Sequence, residues 1–189
     1  MHMKRLVVFL LCATFAVAQS PTPTPAPAAP AQQAPDVPQP NPADVKSLDA
    51  IMHAVYDVIS GPAGQKRDWN RFRSLFIPGA RLIPTGPKRD AAGFAARVLT
   101  VDDYVSRAQG AFDQQGFYEN EAARRVEQWG NIAQVFSTYE SRRAPTDQPF
   151  VRGINSFQLF NDGQRWWVVT IFWQGETKDN SIPAEFLKK

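Results

Sequence analysis

The stretch Glu121-Ala-Ala-Arg-Arg-Val-Glu-Gln-Trp-Gly130-Asn131-Ile-Ala-Gln-Val-Phe-Ser-Thr-Tyr-Glu140 reads as two strands joined by a two-residue loop. Gly at the first loop position and Asn at the second suit a type II′ turn, whose twist matches that of the flanking strands. Trp129 then pairs with Ile132, Arg125 with Phe136, Glu121 with Glu140, and Glu119 with Arg142. Opposed like charges weaken a sheet, so the facing of Glu121 and Glu140 is the feature to explain. Alternation puts Tyr118, Ala122, Val126, Ala133, Val135 and Tyr139 on one face and the charged residues on the other. In that arrangement the two glutamates form a solvated ladder relieved by Arg125 and Arg142. The cavity wall then includes Tyr139 with Asn120, Arg124 and Ser141. A single β-bulge reverses the facing. Glu121 and Glu140 would then share a low-dielectric cavity with Arg142 and serve as acid and base.

Outward from this hairpin the pattern extends in both directions. Phe150–Phe160 and Arg165–Gln174 read as a second hairpin turned at Asp162-Gly163. Upstream, Leu48, Ile51, Met52, Val55, Tyr56 and Ile59 recur at helical spacing and stop at Ser60-Gly61-Pro62. Asp68 caps a short helix carrying Trp69, Phe72, Leu75 and Phe76; a short strand, Ala80–Pro84, follows, then a polar loop through Thr85-Gly86-Pro87. Thr100-Val-Asp-Asp103 opens a third helix with Tyr104, Val105, Ala108 and Phe112 on one side. Helices followed by a long antiparallel meander define an α+β fold: three N-terminal helices on a curved antiparallel sheet.

The chain ends add a compartment. Lys4 and Arg5 precede an apolar run, Leu6–Ala18, closing on Ala16-Val-Ala18. This is the pattern of a cleaved secretory signal over residues 1–18. The run is shorter than the ~20 residues of a membrane span. Leu10-Leu-Cys12 is a loose alternative for a lipidated cysteine. Residues 19–44, rich in Pro and Ala, read as an extended tether. Residues 45–189 make one domain. The implied location is periplasmic or secreted, with no membrane insertion after cleavage.

Loss of residues 1–18 removes Cys12, the single cysteine, and two of the 21 basic residues, leaving 19 against 18 acidic. Thiol chemistry is thereby excluded from the exported form, and the charge balance gives no clustered basic face for nucleic acid. Only His53 remains as a histidine, so neither a His-based triad nor a multi-His metal site is expected. His53 falls off the apolar helical stripe, as a solvated side chain does. No glycine-rich phosphate loop is present, and no cofactor is expected.

The first helix, the run Asp68-Trp-Asn-Arg-Phe-Arg-Ser-Leu-Phe76 leading into Ala80-Arg-Leu82, and Asp162-Gly-Gln-Arg-Trp-Trp-Val-Val169 resemble the nuclear transport factor 2-like superfamily, with its ketosteroid isomerase-like and SnoaL-like members. The resemblance spans about residues 45–174 in organisation. Ser137–Arg143 followed by Arg152–Leu159 is similar to a bacterial branch of unassigned function. The resemblance implies a cone-shaped fold of helices packed on a curved sheet, and homodimerisation is common among such proteins. Taken residue by residue, Tyr56 matches the first-helix tyrosine that helps hold an oxyanion in ketosteroid isomerase. The position of its general-base aspartate falls at about Pro84, which cannot abstract a proton.

Two further positions stand out on the strands. With Phe160 opposite Arg165, Asn155 lies mid-strand opposite Thr170, a buried amide that needs a ligand, Thr170 or the backbone as partner. Arg152 faces Trp173, as a cation–π contact or an anchor for an anion. Both faces of this hairpin are largely apolar, which implies a second subunit on the outer one, or cover from Ile182, Phe186 and Leu187. The expected function is binding of a small organic ligand in an apolar pocket. Its expected contacts are Tyr56, Trp69, Tyr104, Arg124, Tyr139, Arg152, Asn155 and Trp173. The alternatives are a cofactor-free lyase or isomerase using Glu121, Glu140 and Tyr56, and a dimerisation or interaction module.

Overall fold

A computed structural model describes residues 37–188. The signal segment and most of the tether lie outside the described residues. The described residues form four α-helices: α1 Pro42–Val45, α2 Leu48–Ile59, α3 Trp69–Ser74 and α4 Val101–Gln114. They accompany six strands: β1 Phe76–Pro87, β2 Phe94–Ala96, β3 Tyr118–Trp129, β4 Ile132–Arg142, β5 Val151–Asn161 and β6 Trp166–Gly175. The strand order is β2-β1-β6-β5-β4-β3. All neighbours are antiparallel except β1 and β6, which run parallel. The sheet is therefore mixed and not the antiparallel meander expected from the hairpins. Hairpin counting is blind to β1, which pairs with a strand far along the chain.

Each helix starts where a polar side chain takes up free backbone N–H groups. Ser47 accepts from Ala50, and Asp68 from Arg71. Thr100 and Asp103 close a reciprocal capping box. Helix α1 was not expected, and with it the folded part begins before Val45. Asp44 of α1 is buried, and Arg71 of α3 grips its two oxygens at 2.7 and 3.0 Å. The same guanidinium reaches Asp57 of α2 at 2.6 Å, so one side chain ties three helices together. The short α3 ends at Ser74, and Phe76 already belongs to β1, two residues before the expected stop at Pro78.

The apolar stripe of α2 and Val105, Ala108 and Phe112 of α4 pack on the inner sheet face with Val135, Phe157, Leu159, Val168 and Ile171. The outer face keeps Phe136 and Phe172 exposed. The C-terminal turn, Ala184–Phe186, covers part of it: Phe186 packs on Phe136, and its carbonyl accepts a hydrogen bond from Thr138.

The β3–β4 turn is as read. Gly130 has a φ of +54° and no described non-glycine residue has positive φ, which fits a type II′ loop. From Trp129–Ile132 back to Ala123–Thr138 the pairing is also as read. At Ala122 a bulge inserts one residue, and beyond it Glu121 pairs with Tyr139, Asn120 with Glu140, and Glu119 with Ser141. The opposition of Glu121 and Glu140 does not occur. Instead Glu121 and Glu119 turn to the inner face, while Glu140 stays outside against Arg142.

The second hairpin is shifted as well. Phe160 pairs with Trp167 and not Arg165, and a further irregularity follows Gln158. Asn155 thus lies opposite Trp173 rather than Thr170.

Candidate functional site

A cavity of about 370 Å³ opens between α2, α4 and the inner sheet face. Its walls are mostly apolar, with Phe72, Leu82, Leu99, Phe157, Ile171 and Trp173 among them. The polar groups that line it are Tyr56, Tyr104, Glu119, Tyr139, Ser141 and Asn155, joined by Arg97 and Arg107. Pro84 lines it too, at the position where the isomerase comparison places a base.

Glu119 is the acid of this cavity. Ser60, the C-cap of α2, donates to the Tyr56 carbonyl at 2.7 Å and accepts the Glu119 N–H at 3.0 Å. One residue further, Gly61 and Phe117 exchange two backbone hydrogen bonds. The end of α2 thus fixes the start of β3, and the bulge at Ala122 absorbs the mismatch with the hairpin. The carboxylate so delivered accepts from Ser141 Oγ at 2.6 Å and from Asn155 Nδ2 at 3.5 Å. Burial pushes its pKa up to about 6, against the lowering effect of those two hydrogen bonds. Glu119 also lines a second, more polar groove, with His53, Asp57, Glu121, Arg124 and Arg142 among its neighbours.

Tyr56 is buried at the heart of the site. Its hydroxyl accepts from Asn155 Nδ2 at 3.1 Å and donates to Ser137 Oγ at 2.6 Å. Ser137 in turn donates to Glu121, whose other oxygen meets Arg124 at 2.6 Å. This chain of donors ends at Asp49, 2.7 Å from Arg124. Tyr56 is therefore committed within the protein. Burial, followed by the nearby Glu119 charge, raises its pKa far above the ordinary phenol value.

Tyr104 and Tyr139 differ. Their hydroxyls make no hydrogen bond to a described residue, yet no buried polar side-chain atom lacks a partner, so both tips open on accessible space. Burial and then Glu119 raise both phenols, and they remain neutral donors throughout the physiological range. The Tyr139 ring lies directly over Gly153: a Cβ there would stand 2.5 Å from the hydroxyl and 2.3 Å from the Gln174 carbonyl. Glycine alone leaves the ring its place.

Of the contacts expected from sequence, the cavity brings together Tyr56, Tyr104, Tyr139, Asn155 and Trp173. Trp69 stands behind the wall, stacked on Phe112 with centroids 6.1 Å apart. Arg124 is held by Glu121 and Asp49 in the polar groove. Arg152 lies on the outer face opposite Glu140 and pairs with Glu176 at 2.8 Å, not with Trp173. Glu140 is likewise outside. Glu119, which the unbulged register sends to the solvated face, is the residue that sequence reasoning missed. No local signal marks it, because the Gly61–Phe117 pairing that sets the strand start joins segments far apart in sequence.

A neutral Glu119 loses its cost of burial, so the sign of the pH effect is defined. Its folded pKa of about 6 lies above its ordinary 4.5. The folded state therefore holds the proton more tightly, and stability falls as pH rises through that window. We expect about 2 kcal/mol less stability from this group above pH 7 than below pH 4. Urea melts of the wild type and of Glu119→Gln check it: the difference between the two curves should carry the slope, and parallel curves would refute it.

No family profile matches the chain, and no curated protein matches it. Solved structures do. A protein of unknown function with a cystatin-like fold from Nostoc punctiforme superposes with a TM-score of 0.51 at 9% identity, covering 70% of this chain and 94% of the other. A nuclear transport factor 2-like protein of unknown function from Silicibacter pomeroyi gives 0.48 at 14% identity over 69% and 94%. A structure described as a ketosteroid isomerase homologue from Parabacteroides distasonis gives 0.45 at 11% over 73% and 95%. What is shared with the Nostoc protein is the fold alone, helices over a curved sheet. Identities this low carry no activity across.

Among the described residues no group of three or more His, Cys, Asp or Glu is placed to hold a metal. No described helix is long and apolar enough to cross a membrane.

Proposed function

We propose that the chain binds a small, largely apolar organic molecule in the cavity and that Glu119 exchanges a proton with it. The observation that carries this reading is the carboxyl of Glu119, the one acid among the described residues along a mostly apolar cavity, with a pKa of about 6. An acid poised near neutral pH is suited to take and return a proton. Tyr104 and Tyr139 supply free O–H donors to steady an oxygen on which negative charge develops. The step is then removal of a proton from carbon beside a carbonyl, with the electron pair moving onto that oxygen, and its return elsewhere. The proposal includes export, from the pattern of residues 1–18, and pairing of two copies across the outer face, supported by the exposed Phe136 and Phe172.

Fluorescence titration with N-phenyl-1-naphthylamine, a neutral dye bright only in apolar surroundings, tests the binding step. The wild type should bind it saturably. Ala108→Leu and Ala108→Phe, which add bulk to the cavity wall, should weaken binding progressively. No saturable binding, or binding indifferent to both variants, overturns the proposal.

A further inference from the structure

Tyr104, Arg107 and Ala108 of α4 lie at i, i+3 and i+4 and line the same cavity. Arg107 brings its guanidinium to the rim, where it is exposed. A second guanidinium comes from the segment after β2: the Arg97 N–H donates to the Pro84 carbonyl at 3.0 Å, which hangs Arg97 beside a residue of the cavity wall.

These two are unlike the other arginines of the domain. Arg71, Arg73, Arg124, Arg125, Arg142 and Arg152 are paired with carboxylates. Arg67, Arg81 and Arg165 donate to backbone carbonyls, and Arg143 lies 3.9 Å over the Phe150 ring. Among the described residues only Arg89, Arg97 and Arg107 have side chains with no such partner, and two of the three stand at this rim. Asp103, one turn before Arg107, feels its charge but forms no ion pair with it and is engaged by the Thr100 N–H at 3.0 Å and hydroxyl at 2.8 Å. Two guanidiniums from separate elements, neither in a direct ion pair or hydrogen bond, at the mouth of a mostly apolar cavity, make a site for an anion whose remainder lies inside.

We propose that Arg97 and Arg107 bind an anionic group, a carboxylate or sulfonate, at the exposed end of the ligand. The molecules this protein takes are then amphiphilic organic anions rather than neutral hydrophobes. The inference rests on the reading that the cavity binds an apolar ligand, and it names the class. It also orients the ligand: the charged end faces water, and the apolar body, with its reactive carbon, points toward Glu119 and Tyr139.

A matched dye pair separates the two ideas. 8-Anilinonaphthalene-1-sulfonate is N-phenyl-1-naphthylamine with a sulfonate added, and both are titrated against the wild type, Arg97→Gln/Arg107→Gln and Ala108→Phe. The wild type should bind the sulfonate about tenfold more tightly than the neutral dye, and that preference should shrink as salt rises. In the double arginine variant the preference should vanish while the neutral dye binds unchanged, which also shows that the variant is folded. Equal affinity for the two dyes, a preference that survives loss of both arginines, or sulfonate binding untouched by Ala108→Phe each overturns the anion site alone. Failure of both dyes to bind removes the cavity reading and the anion site with it.

Discussion

Replacing Glu119 by Gln stops deuterium uptake at the α-carbon of an enolisable ketone such as 2-tetralone, which the wild type accelerates over buffer. The expected fall is about 10²–10⁴-fold, the usual contribution of a positioned general base. Gln keeps the length of the side chain, and its oxygen can still accept from Ser141, which holds the carboxylate at 2.6 Å. What it lacks is the ability to take a proton. Proton NMR in D2O reads the exchange directly, through loss of the α-hydrogen signal. In the wild type the rate should rise with pH around a midpoint near 6, where burial has moved the Glu119 carboxyl, and then level off. No acceleration by the wild type, or equal rates in the Gln variant, would falsify Glu119 as the base. Glu140→Gln serves as the control on the outer face and should leave the rate alone.

Arg71→Met lowers folding stability by about 3 kcal/mol, the lower end of the range for stranding a buried charge. Arg71 binds Asp44 through two nitrogens and Asp57 through a third. Asp44 is buried, with 8% of its surface exposed, whereas half of the Asp57 side chain meets water. Without Arg71 the Asp44 carboxylate has lost its counter-charge and must either stay desolvated or pull α1 off the fold. Asp57→Asn therefore costs at most about 1 kcal/mol. For a domain of this size the Arg71 loss corresponds to a melting temperature lower by about 6–12 °C. Thermal and urea melts of the two variants check the asymmetry. Equal losses from both would show that the triad acts as a surface ion pair. Adding Asp44→Leu to Arg71→Met should recover much of the loss, because the stranded charge is then gone.

Much of this fold is legible in single residues. The α2 stripe, the Asp68 and Thr100 caps and the Gly130-Asn131 turn are local devices, and each does in space what its residue type implies. Tyr56 and Asn155 were legible as buried polar positions for the same reason. Their partners were not, because partners depend on register. The bulge at Ala122 has no glycine to announce it and arises from a tertiary constraint: Ser60 and Gly61 seize the start of β3 while Gly130 fixes its far end. Strict alternation between those anchors sent Glu119 outward and opposed Glu121 to Glu140. The second hairpin failed likewise, since its turn spans Asp162–Arg165 and not two residues, which moved Arg152 away from Trp173. Position in the sheet is set by whichever anchors win, and anchors distant in sequence leave no local trace.

The extra residue in β3 gives the fold a mechanical setting. Removing Ala122 would erase the bulge and yet keep Glu121 opposite Tyr139 and Ala123 opposite Thr138 in unbroken alternation, so Glu119 would still face inward. A lineage carrying this fold can thus lose that one residue in frame and keep its internal acid. Counting back from Gly130 is then a poor guide to where that acid points, and its tie to Ser60 is the better one.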